Sequence, residues 1–352
     1  MARDPVADLR EIAFRLERER EPTYRVKAFR NAANVADELP SGELEERARA
    51  GTLQELSGIG AKTAQAIQQS LGGSEPDYLR KLAKEPAPMS SAAASVRAAL
   101  KGDLHTHSDW SDGGSPIREM TLAARGLGHE YVVLTDHSPR LTVANGLSAE
   151  RLERQLDVVA ALNLDFAADA ATGGGDPFRI LTGIEVDILD DGTLDQQPAL
   201  LARLDLVVGS VHSKLRMPSK EMTPRMIAAI SNPHLDVLGH CTGRLITGGR
   251  GQRPESEFEA DLVFAACQRF GVAVEINSRP ERLDPPRRLL TMAVETGCLF
   301  SIDTDAHAPG QLDWQRNGCE RAAECGVPVE SIVNSWRRED LLAWTADHAA
   351  RP

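Results

Sequence analysis

The sequence predicts an α/β fold, with a parallel sheet closed or nearly closed into a barrel and preceded by a small all-α domain. Three observations carry this. From Gly102 onward, short apolar runs (DLHTH, YVVLTDH, RILTGIEVDI, LDLVVGSVH, LDVLGH, VAVEIN and CLFSIDTDAH) alternate with helix-length segments, the pattern of repeated βα units. Before that point the apolar residues recur at helical spacing, from Val6 to Phe14 and again from Tyr24 to Leu39, where Pro40 ends the run. The length, 352 residues, exceeds one ordinary domain and falls short of three.

Taken in order, residues 1–85 read as a helical DNA-binding domain. Within it, LQELSGIGAKTAQAIQQSL sets a Gly58-Ile59-Gly60 turn before a helix whose Ala64, Ile67 and Leu71 share one face. This is the helix-hairpin-helix pattern. Glycines let backbone amides approach a ligand, and a helix starting there presents N–H groups and its positive dipole end to a phosphate. Gly58, Ile59, Gly60 and Lys62 are therefore the expected contacts to DNA, through backbone phosphates and independent of base sequence. Residues 86–101 (PAPMSSAAASVRAALK) suit a connector with one short helix at most. Residues 102–352 form the barrel.

Composition narrows the class. Hydrophobic residues at 41% and charged residues at 26% are globular values. No apolar stretch is long enough for a membrane helix, and the first twenty residues are charged throughout, so a cytoplasmic location without membrane contact is expected. Five cysteines without a CxxC indicate neither a disulfide framework nor a thiolate zinc site. Net charge is −12, which excludes coating of nucleic acid by bulk electrostatics. Nearly all of that excess lies after residue 89, where carboxylates that hold divalent cations would offset it.

Six of the nine histidines fall at or just beyond strand ends: His105, His107, His137, His212, His240 and His307. Asp112, Glu185 and Asp305 join them. In a βα barrel these ends converge on one face, and residues spaced i, i+2 point the same way, making His105/His107 and Asp305/His307 natural chelating pairs. Burying so many polar groups together without cations would be costly. His129, His234 and His348 lie elsewhere and read as structural or solvated.

These residues carry a resemblance. From Gly102 to Ala308 the motifs DLHTHSDWSDG, TDHS, GIEVDI, SVH, GH and DTDAH resemble the PHP (polymerase and histidinol phosphatase) domain family. The resemblance implies a distorted (β/α)7 barrel with three divalent metal ions. His105, His107, Glu185 and Asp305 would hold the first; Glu185, His212 and His240 the second; Asp112, His137 and His307 the third. GHCTGRL and EINSRPERLD, with the N-terminal PTYRVKAFRNAANVADELP and LSGIGAKTA, resemble the bacterial family-X DNA polymerases. What stands between those parts in the polymerases, the palm, is missing here. By the same resemblance Ala66 occupies the position of the lyase lysine.

Paired cations activate water and stabilise charge on a phosphoryl group, so a multinuclear metal-dependent hydrolase of phosphate esters is expected, with Glu185, His212 and Asp305 central. Nitrogen and oxygen ligands suit manganese, zinc or iron. Lys214 and Arg244, among Arg216, Arg279 and Arg282, are the preferred phosphate clamps. Asp103 and Asp136 are candidate orienters of imidazoles, Asn277 a further phosphate contact, and Cys241 has no assigned chemistry. Trp314, Trp336 and Trp344 belong to closing helices. The leading expectation is cleavage at DNA 3′ ends, as exonuclease or 3′-phosphatase, in repair. The alternatives are a small-molecule phosphatase such as histidinol phosphatase with an idle N-terminal domain, and a DNA-binding scaffold with a relic barrel. Protein partners leave no trace in the sequence.

Overall fold

The computed structural model describes residues 3–82, 87–173, 178–248 and 251–349. It divides into two compact units, Met1–Pro88 and Met89–Pro352; the expected boundary at residues 85 and 86 lies outside the described residues. The first unit contains α1 (Pro5–Arg18), α2 (Thr23–Glu38), α3 (Glu43–Ala50), α4 (Ala61–Leu71) and α5 (Asp77–Lys81). Its core is apolar, built on Leu9, Ile12, Leu16, Phe29, Leu53 and Ile67. Inside it, the Arg30 guanidinium grips the Glu17 carboxylate at 2.6 Å.

The second unit opens with α6 (Ser91–Ala99), capped by the Ser90 hydroxyl. Residues 89–101 are thus no free connector: Ala93 and Val96 are buried in the barrel's own core. The alanine-rich composition hid this, because small side chains give close helix packing without a visible apolar stripe.

Seven parallel strands follow in sequence order, β1-β2-β3-β4-β5-β6-β7. They are β1 (Gly102–Thr106), β2 (Tyr131–Leu134), β3 (Arg179–Asp187), β4 (Leu206–Ser210), β5 (Val237–Leu238), β6 (Ala273–Asn277) and β7 (Phe300–Asp303). Between them run α7 (Ile117–Gly126), α8 (Ala149–Gly173), α9 (Pro198–Leu201), α10 (Ser219–Ile230), α11 (Ala260–Phe270) and α12 (Arg287–Thr296). After β7 come α13 (Gln315–Glu324) and α14 (Arg338–Ala349). The fold class read from the sequence is the one observed.

Each inward-facing row changes character along the strand. Tyr131 and Val133 of β2, Leu181 of β3, Leu206 and Val208 of β4 and Ala273 of β6 form an apolar plug near the strand starts. Val333, Leu341 and Trp344 pack against that plug, which places Trp344 in packing, as does the burial of Trp314. Further along the same faces, at even spacings, stand polar groups, Glu185 and Asp187 on β3 and Glu275 and Asn277 on β6, because side chains alternate with a period of two. The three other histidines lie apart: His129 is buried just before β2, His234 is half-buried, and His348 pairs with Asp236 at 2.9 Å.

Closure between β1 and β7 is incomplete in backbone terms, with a single bridge among the described residues, Thr106 to Ala306. Side chains complete it. The Gln315 amide donates to the carbonyls of Gly102 and Ile302 (3.0 and 2.9 Å). The Asn334 amide donates to the same two (3.2 and 2.7 Å), while its oxygen accepts the Ile302 N–H (3.1 Å). Unpaired strand edges buried without such partners would be costly. Asn334→Leu leaves the buried Ile302 N–H unpaired, at about 1–3 kcal/mol, while Gln315 still serves both carbonyls. Urea denaturation is expected to show about 1–3 kcal/mol of lost stability; no measurable loss would contradict the side-chain seam.

Candidate metal centre

The centre is organised on one carboxylate. Glu185, 1% exposed, has five imidazoles around it: His137 Nδ1 at 2.7 Å, His240 Nε2 at 3.0 Å, His105 and His212 Nε2 at 3.4 Å, and His107 Nε2 at 3.7 Å. Asp112 closes the outer side, 3.2 Å from His307 and 3.5 Å from His137. Asp305 lies 3.5 Å from His107. All nine expected side chains therefore meet at the C-terminal end of the barrel.

Three overlapping sets have donor atoms close enough to hold an ion: His105, His107 and Asp305; His137, Glu185 and His212; and His107, Asp112, His137 and His307. The expected pairing differs in one respect. Only His105 and Glu185 lie inside strands; the rest lie past the strand ends. Asp305 has left-handed φ (+52°), so its side chain does not follow the strand alternation; its Oδ1 lies 3.5 Å from both His107 Nε2 and His307 Nδ1, and its donor atoms group with those of His105 and His107. A non-glycine residue held there is strained.

Burial would raise the Glu185 carboxyl, but the fields of His105, His137 and His212 outweigh it and hold it well below the usual range. Burial would lower His212, yet Glu185 and Asp187 carry it up to about 9. His107 goes the other way, depressed by burial and by the neighbouring rings of His307 and His137. Buried polar atoms stay without hydrogen-bond partners in this cluster: both Glu185 oxygens, both His107 ring nitrogens, His105 Nε2, His137 Nδ1 and His240 Nδ1. Such atoms are rare in folded proteins. Inward-facing nitrogens and carboxylate oxygens without thiolates are the donor set that divalent ions take, so the residues present fit the implied metals.

Two supporting carboxylates escaped the sequence reading. Glu275 receives His105 Nδ1 at 2.6 Å and also accepts the His240 backbone N–H. Asp187 receives His212 Nδ1. The period-two rule applied to β3 points to Asp187, two residues after Glu185. Asp103 and Asp136 do other work. Asp103 bonds Thr304 Oγ1 (2.6 Å) and the His105 backbone, while Asp136 anchors Ser108, Ser111 and Gln155. Neither touches an imidazole nitrogen among the described contacts. Asn277 donates to Glu275 and Asp305 (3.2 and 3.4 Å), so it is a strut of the carboxylates.

The preferred phosphate clamps are engaged elsewhere. Lys214 sits on the rim, ion-paired with Asp190 at 2.5 Å. Arg244 donates to the backbone carbonyls of Arg282 and Leu283 and lies 3.5 Å from Glu255. Sequence proximity to a ligand histidine does not set where a long side chain ends. Cys241 is buried and unbonded to another cysteine.

In the helical unit, Gly58 has φ of +95° and a Cβ there would press on Val35 at 3.1 Å, so glycine is required. The amides of Ile59 and Gly60 are already bonded, to Leu56 O (3.1 Å) and Thr63 Oγ1 (2.9 Å), and the Ile59 side chain is buried. The N–H groups free to meet an anion are those opening α4, at Ala61 and Lys62. Lys62 lines a cleft of 540 Å³ with Arg25, Lys81, Tyr24 and Tyr78. Ala66 is buried.

The PHP domain model matches residues 103–279, half of the chain, and a helix-hairpin-helix domain model matches residues 3–73. The chain belongs to the PHP domain family. A DNA polymerase/3′-5′ exonuclease PolX of Bacillus subtilis is 40% identical over 70% of this chain, and the match spans only 41% of that relative. A probable phosphatase of a Thermoanaerobacter species is 26% identical over 66% of this chain and 89% of its own length. A histidinol phosphate phosphatase structure from Lactococcus lactis, with zinc, L-histidinol and phosphate, covers 71% of this chain and 93% of its own at 16% identity and a TM-score of 0.42. That likeness is too slight to carry a conclusion. The names of the two sequence relatives both denote phosphoester hydrolysis, the enzyme class expected from the residues.

Glu275→Gln should weaken metal binding about 10- to 100-fold, as loss of an outer carboxylate does elsewhere, with circular dichroism unchanged. Unaltered affinity in a metal titration would show that His105 needs no such support.

Proposed function

We propose that this PHP protein is a metal-dependent phosphoesterase acting at DNA 3′ ends, as 3′–5′ exonuclease or 3′-phosphatase, in cytoplasmic DNA repair. One observation carries the reading: a buried carboxylate and four imidazoles with unmatched polar atoms occur in the same chain as a helix-hairpin-helix. His105, His107, Glu185 and Asp305 are assigned to a first ion, Glu185 with His212 and His240 to a second, and Asp112, His137 and His307 to a third, with manganese, zinc or iron as candidates.

Bound divalent ions supply a hydroxide near neutral pH and stabilise charge on phosphoryl oxygens. The chain's own groups do the rest. Glu185 offers an oxygen to each side, to His105 and His137 through Oε2 and to His212 and His240 through Oε1, and so is placed to bridge. Glu275 and Asp187 fix the His105 and His212 rings, leaving their Nε2 atoms turned to the centre. Asp112, 37% exposed, and His307, 17% exposed, form the open side, where a chain end can enter. The first turn of α4, with Lys62, holds a backbone phosphate.

The phosphatase relative matched along almost its whole length favours one alternative, a small-molecule phosphatase. Full-length protein loaded with manganese is assayed on recessed and 3′-phosphorylated duplexes beside histidinol phosphate. The DNA ends should be preferred, His105→Ala should cost about a thousandfold in kcat/KM, and Lys62→Ala should weaken DNA binding across all sequences while lowering its salt slope by about 1. Preference for histidinol phosphate would overturn the DNA reading. DNA turnover untouched by His105→Ala would overturn the barrel as its source.

A further inference from the structure

Two guanidiniums lie against the centre, and they are held differently. After β6 the chain turns back at Arg279–Arg282, closed by the Arg282 N–H on the Arg279 carbonyl at 2.9 Å, which brings both side chains to Asp305. Arg279 is committed. Its Nη1 donates to the Asp305 carbonyl (2.8 Å) and lies 3.0 Å from His307 Nδ1, and its guanidinium lies over the Trp314 ring at 5.8 Å.

Arg282 is not. It is 8% exposed, its Nε lies 3.2 Å from Asp305 Oδ2 without the alignment of a hydrogen bond, and its Nη1 has no partner. Its charge also acts on His240, where after burial it is the strongest influence lowering that ring. A buried guanidinium with unmatched donors is costly. Beside a site for divalent cations the cost rises, since like charges repel. The Asp305 carboxylate offsets part of that cost, and an anion lodged between Arg282 and the ions would offset the rest.

We infer that Arg282 is the residue that grips the phosphoryl group, donating from Nη1 to a non-bridging oxygen, and that Arg244 is its positioning residue. Arg244 donates to the carbonyls of Arg282 and Leu283 and so holds the turn from behind. The planar fork of arginine suits two phosphoryl oxygens at once. This rests on the phosphoesterase reading but not on the choice of DNA over a small molecule.

The test is calorimetric titration of manganese-loaded full-length protein with inorganic phosphate, with metal content measured on the same samples. Arg282→Gln should weaken phosphate binding about 10- to 100-fold at unchanged metal content. Arg282→Lys, which keeps the charge beside Asp305 and is the milder change should the glutamine variant fold poorly, should recover part of that loss. Arg244→Gln should weaken phosphate binding less. Phosphate affinity unchanged in Arg282→Gln overturns the inference, as does a loss that merely tracks lost metal, which would make Arg282 only a partner of Asp305. If wild type binds phosphate in this Arg282-dependent way yet turns over no DNA end, the inference stands and the DNA reading falls.

Discussion

A carboxylate sealed from water among five imidazole rings is the constraint on which the barrel depends. Glu185 is charged where charge is costly, and its neighbours cannot all be protonated without repelling one another. The rings divide, His105 and His212 raised by the Glu185 charge against their burial, and His107 and His240 depressed. Proton balance of this kind is a poor substitute for cations. The unpaired oxygens and nitrogens at the centre are what it leaves over.

The rest of the barrel keeps that cluster in place. Apolar side chains fill most of the strand starts, and the inward rows of β3 and β6 turn polar towards the other end. Glu275 ties β6 to the His105 ring and to the backbone at His240, so one buried carboxylate sets the relation of two strands and their rings. The β1–β7 seam matters for the same reason. His105 and His107 lie on one side of it and Asp305 and His307 on the other, and the amides of Gln315 and Asn334 hold those sides together where the ladder does not.

Much of this was legible in the sequence. Strand-sized apolar runs ending in histidine state both the fold and the nine convergent side chains, because strand ends of a parallel barrel meet on one face. The supporting groups were harder to read. Glu275 sits mid-strand with no neighbouring motif, and its role depends on a contact across 170 positions. Asp103 and Asp136 look like partners of the imidazoles because they precede them, yet their side chains bond backbone and hydroxyls. Long cationic side chains were least legible: Lys214 and Arg244 follow ligand histidines closely but end at Asp190 and at loop carbonyls, while Arg282 arrives by a turn that sequence spacing does not foretell. In the hairpin, the glycines were read correctly as a turn, but the bonded amides of Ile59 and Gly60 move the anion-facing groups to the start of α4.

The account's central claim is that cations occupy the cage around Glu185. Anomalous diffraction at the manganese edge, from crystals grown with manganese, tests it most directly. The account predicts three peaks, each within bonding distance of one of the proposed ligand sets. An empty cage at saturating metal, with the imidazoles hydrogen-bonded to Glu185 instead, would contradict it.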